Sequence, residues 1–253
     1  MRLENVLPIF LCAAVLSTSC KQGANKRTEE KQEITASPEE KKITGLVEKV
    51  LTKEEQDALT PDKVIQSFKE GNERFMRNDL TERNHSEQVR RSTLAQYPKA
   101  IVLSCVDSRV PVEDVFDRGI GDVFVARVAG NFVNEDILGS MEFACRVSGS
   151  KLILVLGHEH CGAIKAAISN VQMGNITLML ENIKPAVEKV TYDGNRVSEN
   201  QKFVHMVCES NVKNTMEEIR KNSPILNDME QSEEIKIVGA IYDMDTGKVS
   251  FLP

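Results

Sequence analysis

Three short runs of continuous apolar, β-rich sequence constrain the fold most: Lys99–Cys105 (KAIVLSC), Asp122–Val128 (DVFVARV) and Lys151–Gly157 (KLILVLG). None alternates apolar with polar residues, as a strand with one wet face does, so both faces of each must be covered. Helical stretches separate them: NEDILGSMEFACRVSG, CGAIKAAISNVQ, ITLMLENIKPAVEKV and SENQKFVHMVCESNVKNTMEEIRKN. This alternation predicts an α/β fold with a central parallel sheet and helices on both faces. Near the end, EIKIVGAIYDMDTGKVSFL reads as two strands joined at Asp245-Thr246-Gly247, which adds an antiparallel edge strand. Two helical signals, TGLVEKVLTKEEQDAL and TPDKVIQSFKEGNERFMRN, precede the first strand. In the second, Thr60 is an N-cap and Pro61 takes the first helical position. Val64, Ile65, Phe68 and Phe75 recur at helical spacing and mark a face to be buried.

The ends of the chain read differently. Residues 1–19 carry Arg2, an apolar run from Val6 to Leu16 and then small residues. The run is shorter than the roughly 20 apolar residues that span a bilayer, and it fits the core of a signal peptide. Ending in Leu-Ser-Thr-Ser-Cys, the segment resembles a bacterial lipoprotein signal, with Cys20 as the lipidated first residue of the mature protein. An ordinary secretory signal cut nearby is the alternative. Residues 20–44 are charged and almost devoid of apolar side chains, so they cannot bury a core and are expected to form a disordered tether. The folded domain is then 45–253, exported to the periplasm or cell surface and standing off the membrane on Cys20.

The chain has 253 residues, 41% of them hydrophobic, which suits one sizeable domain plus tails. A net charge of −6, with no basic block outside the first third, argues against nucleic-acid binding.

Chemistry concentrates at the strand ends, where open α/β sheets bind ligands. Cys105 lies just past the first strand and is followed by Asp107, Ser108 and Arg109. His158 lies just past the third strand, and Cys161 follows where CGAIKAA begins a helix. The partial positive charge of that helix end favours a thiolate at Cys161. Two thiolates and an imidazole form a Cys₂His set that zinc takes tetrahedrally, with the fourth corner open, as in catalytic zinc sites. Asp107 is placed to pair with Arg109 and stay out of the coordination sphere, or to swing onto the metal and close it. The competing reading is an ion pair that only fixes the loop. Cys145 and Cys208 sit in helical contexts and read as core thiols; His160 reads as a rim residue, and His85 and His205 as surface or packing residues.

These motifs resemble the β-class carbonic anhydrases. The matching pieces are Cys105-Val-Asp107-Ser108-Arg109, Arg127-Val-Ala-Gly130-Asn131, Ser140-Met-Glu-Phe-Ala144 and Gly157-His158-x-x-Cys161-Gly162. The resemblance implies a four-stranded parallel core with an added edge strand, and a homodimer or homotetramer whose N-terminal helices pack across the dimer partner. It implies reversible hydration of carbon dioxide to bicarbonate and a proton through zinc-bound hydroxide, zinc lowering the pKa of its water from 15.7 to roughly 7. It also assigns a substrate pocket to Gln96, Phe124, Phe143 and Gly162. Phe143 departs from the family's tyrosine; the apolar wall stays and a hydroxyl is lost. The second, inhibitory bicarbonate site of some relatives needs a tryptophan, and this chain has none.

Three other readings compete. The same scaffold can hydrolyse carbon disulfide or carbonyl sulfide. A non-catalytic zinc-binding surface module would keep Asp107 on the metal and would not need Gln96 or Arg109. A thiol oxidoreductase lacks its Cys-x-x-Cys pair.

Overall fold

The computed structural model describes residues 49–253. The segments read as a signal peptide and a tether, with Cys20, lie outside the described residues.

The expected sheet forms, with strand order β2-β1-β3-β4-β5. β1 (Ala100–Ser104), β2 (Val123–Arg127), β3 (Leu152–His158) and β4 (Lys236–Tyr242) run parallel, and β5 (Val249–Phe251) pairs antiparallel to β4. β1 and β3 are buried along their whole length. Alternate residues serve opposite faces: Ile101, Leu103, Ile153 and Val155 join one core, while Val102, Leu152, Leu154 and Leu156 join the other. Among the strands formed by the three apolar runs, β2 is the exception to full burial. It forms one edge of the sheet, and each of its residues is partly exposed.

The chain leaves β1 for β2 on one side, then crosses to β3 on the other. The reversal opens a crevice at the carboxyl ends of β1 and β3. Both metal motifs begin there.

One face of the sheet is covered by α2 (Pro61–Met76) and α4 (Val112–Val115), which bury Val64, Phe68, Val112 and Phe116. Thr60 caps α2 through the Lys63 N–H, with Pro61 at its first position. Within the described part of the first helical signal, α1 spans Lys53–Asp57, and Thr52 and Glu55 close a reciprocal capping box at its start. Gln56 of α1 is buried and donates to the Pro98 and Ser148 carbonyls, so α1 and α2 both seat on their own chain.

The other face is covered by α5 (Glu135–Glu142), a π-helical turn at Phe143–Val147, α6 (Gly162–Ile168) and α9 (Gln201–Asn222). The stretch ITLMLENIKPAVEKV divides into α7 (Gly174–Glu181) and α8 (Lys184–Lys189), with Pro185 in the first turn of α8. Three further helices form where none was expected: α3 (His85–Ser92), the short α4, and α10 (Pro224–Gln231).

Candidate metal centre

Cys105 leaves β1, His158 ends β3, and Cys161 is the N-cap of α6. All three are buried, and one ligand atom from each lies within 4.8 Å of the others. The four internal cysteines carry free thiols, as expected for Cys145 and Cys208.

Each ligand is aimed by its backbone. His158 Nδ1 lies 2.8 Å from the Glu159 carbonyl, which can only accept, so Nδ1 carries the hydrogen. Nε2 then presents its lone pair to the cluster, and it is buried without a hydrogen-bond partner. The Cys161 side chain makes no capping bond to its helix, which leaves its sulfur for the cluster. The neighbouring Cys161 side chain, with the Gly130 N–H, outweighs burial and lowers the Cys105 thiol well below the usual range. Cys161, facing Cys105 in turn, is pushed up.

Two soft sulfurs and an unpartnered imidazole nitrogen, closed off from solvent, are the donor set zinc prefers. The residues fit the ion.

Asp107 points its carboxylate to Arg109. Oδ1 accepts Arg109 Nε at 3.0 Å and Oδ2 accepts Nη2 at 2.8 Å. The guanidinium, against the effect of burial and helped by the Arg109 backbone N–H and His158, brings the Asp107 carboxyl down to about 2. Oδ2 stands 3.9 Å from His158 Nε2, so the carboxylate borders the metal position while it is paired elsewhere.

The pocket residues divide. Phe124 of β2 and Phe143 meet edge to face, with ring centroids 6.4 Å apart. Together with Ile101, Ala126 and Ile137 they form the apolar wall of a groove along the open β2 edge, whose lining Glu135, Asp136 and Ser140 complete. Gly162 stands exposed beside Cys161, with nothing within 4 Å of where a Cβ would project. Gln96 is not brought to the cluster within this chain. It is exposed and precedes β1, whose 5 residues at about 3.3 Å each separate it from the Cys105 end. His160 sits on the rim with a positive φ, its ligand atoms near Glu159 and Asp245. His85 is exposed, and His205 pairs with Glu159 and Glu209 at the surface.

Sequence reasoning gave Arg127 and Gly130 no role. Arg127 Nη1 donates to the Cys105 carbonyl at 2.9 Å and Nη2 to the Val110 carbonyl at 2.6 Å, clamping the ligand loop. The Gly130 N–H donates to Cys105 Sγ at 3.4 Å. An arginine ending a strand beside β1, followed by a Gly-Asn pair, was the available signal.

Comparison with known proteins agrees with this geometry. The carbonic anhydrase family model matches residues 100–249. Carbonic anhydrase 2 of Mycobacterium tuberculosis is 35% identical over 190 residues, spanning 72% of this chain and 88% of that protein. A carbonic anhydrase of Pseudomonas aeruginosa is 29% identical, over 71% of this chain and 83% of its own length. Among solved structures, the β-carbonic anhydrase CafA of Aspergillus fumigatus superimposes with a TM-score of 0.58 at 22% identity, over 76% of this chain and 89% of that one. The Coccomyxa β-carbonic anhydrase gives 0.59 at 23% identity, over 75% and 85%. At such identities the structures speak for the fold, which is that of the β class, and the sequence matches carry the assignment: the chain belongs to the carbonic anhydrase family.

Proposed function

We propose that the chain interconverts carbon dioxide and bicarbonate with a zinc ion held by Cys105, His158 and Cys161. The reaction follows from the family. The observation that carries the zinc reading is the buried Cys₂His cluster, with the Asp107 carboxylate beside it paired to Arg109.

Zinc in this setting supplies Lewis acidity that lets a water lose its proton near neutral pH. The chain's own residues do the rest. Asp107, kept ionised by Arg109, can only accept a hydrogen bond, so it fixes the orientation of the reacting water. Arg127 and the Gly130 N–H keep Cys105 in place. The groove of Phe124 and Phe143 contains no residue of its own chain's cluster, so, like Gln96, these rings would wall the site of a second copy, where an apolar surface suits a small nonpolar substrate.

The active unit is proposed to be a homodimer or homotetramer. The β2 edge supports this, since an unpaired strand beside an exposed apolar groove favours a second copy. A second copy would also give Gln96, distant from its own cluster, a site to serve. The chain is further proposed to be exported and lipid-anchored at Cys20, on the strength of residues 1–20. No helix among the described residues is long and apolar enough to cross a membrane.

The test is a stopped-flow carbon dioxide hydration assay beside a sulfide-release assay with carbon disulfide and carbonyl sulfide. Fast hydration without sulfide release is expected. Sulfide release without hydration would transfer the site to the sulfur substrates.

A further inference from the structure

α9 lies against β3 and α6, which carry His158 and Cys161, and against the Gly130–Asn131 turn beside Cys105. Cys208, Asn211, Val212 and Thr215 fall on one face of this helix, at spacings of three, one and three residues. Cys208 is buried in the same core as Cys161. Val212 packs where a Cβ on Gly157, the neighbour of His158, would approach to 2.7 Å. Asn211 Nδ2 donates to the Gly130 carbonyl at 2.8 Å, and Thr215 Oγ1 donates to the Asn131 carbonyl at 3.2 Å.

Gly130 is the residue whose N–H reaches Cys105 Sγ. It has φ +85, and a Cβ there would sit 2.4 Å from Ile183 Cδ1, so only glycine fits. Glycine brings no stiffness of its own, and the direction of its N–H must be set from outside. On the N-terminal side, the Val128 N–H bonds the Ser104 carbonyl. On the C-terminal side the Asn131 N–H bonds the Val128 carbonyl, and Asn211 and Thr215 hold the Gly130 and Asn131 carbonyls. Asn211 is 1% exposed, and its Oδ1 is buried with no partner. A buried amide with an orphan oxygen costs stability that a leucine of similar size would avoid. Its one bond goes to Gly130.

We infer that Asn211 is a positioning residue for the metal centre: by holding the Gly130 carbonyl it aims the Gly130 N–H at Cys105 and sets the electron density on that sulfur. The inference rests on the reading that Cys105, His158 and Cys161 hold the metal. Outer-shell hydrogen bonds of this kind change metal affinity by roughly 10–100-fold.

The test uses the full chain loaded with cobalt(II), whose sulfur-to-metal absorption band reports on the thiolates. In Asn211→Leu the sulfur loses its N–H donor, so the band moves to lower energy, and a chelator strips the metal roughly 10-fold faster. Ser210→Ala, which removes only a bond from the same helix to the Ala186 carbonyl, leaves the band in place. A folded, cobalt-loaded Asn211→Leu with the wild-type band overturns the inference, as does an equal shift in Ser210→Ala. If Asn211→Leu does not fold, Thr215→Val carries the test: a smaller shift in the same direction supports the inference, and an unmoved band overturns it. A wild-type chain that shows no sulfur-to-cobalt band overturns the ligand set itself, which separates the two failures.

Discussion

Arg109 grips the Asp107 carboxylate at three points: its backbone N–H and Nε each donate to Oδ1 at 3.0 Å, and Nη2 donates to Oδ2 at 2.8 Å. Two residues of separation make the grip possible, because the backbone turn and the side-chain fork close on the same group. A carboxylate this well satisfied has little to gain by approaching a cation.

Arg109→Ala removes that restraint. Asp107 Oδ2, 3.9 Å from His158 Nε2, is then free to take the fourth corner. The variant is expected to keep its zinc and to lose roughly 100-fold in hydration rate, by metal analysis beside stopped-flow kinetics. Wild-type activity in this variant would remove Arg109 from the mechanism.

Asp117 predicts an acid limit to stability. It is buried with a positive φ, and it accepts from Arg74, Arg83 and the N–H and hydroxyl of Thr81. Burial alone would raise its pKa; Thr81, Arg74 and Arg83 outweigh it and hold the carboxyl below the usual value. A lowered folded pKa contributes stability above the unfolded value of roughly 4, and that contribution is lost as pH falls below it. Asp117→Asn should cost about 3 kcal/mol in urea unfolding at pH 7, and the deficit should shrink below pH ~4. An unchanged deficit at low pH would mean the cost is steric.

Phe143 tests the β2 edge. It is 53% exposed in a single chain although it lies in an apolar groove with Phe124. Wild-type protein should sediment as a dimer or larger, and Phe143→Asp should sediment as a smaller species with reduced activity. A wild-type monomer with full activity would show that one chain suffices.

The sheet was legible because its strands are unbroken apolar runs, and the sequence between them could only be helix. The ligands were legible because Cys105, His158 and Cys161 each follow such a run. Other features were not legible, for local reasons. α3 carries no apolar stripe and is held by Asn84 at its cap and by Glu87 to Arg90 and Arg91. α10 was signalled by Ser223-Pro224, the same kind of start as Thr60-Pro61, but it is short and abuts α9. The π-helical turn that presents Phe143 and buries Cys145 has no periodic signature. Burial of β2 was overestimated because an apolar run reads alike in the centre of a sheet and at an edge awaiting a partner. Gln96 was placed by motif spacing, which cannot tell one end of a strand in the same chain from a neighbour's site.

The central claim is that zinc at Cys105, His158 and Cys161 makes this chain a catalyst. Zinc content and hydration rate, measured on the same native preparation before and after chelation, test it most directly, with Cys161→Ser as the matched control. One zinc per chain is expected, with activity lost on removal, restored on zinc return, and absent together with the metal in Cys161→Ser. Full hydration activity in the metal-free protein, or stoichiometric zinc in Cys161→Ser, would contradict it.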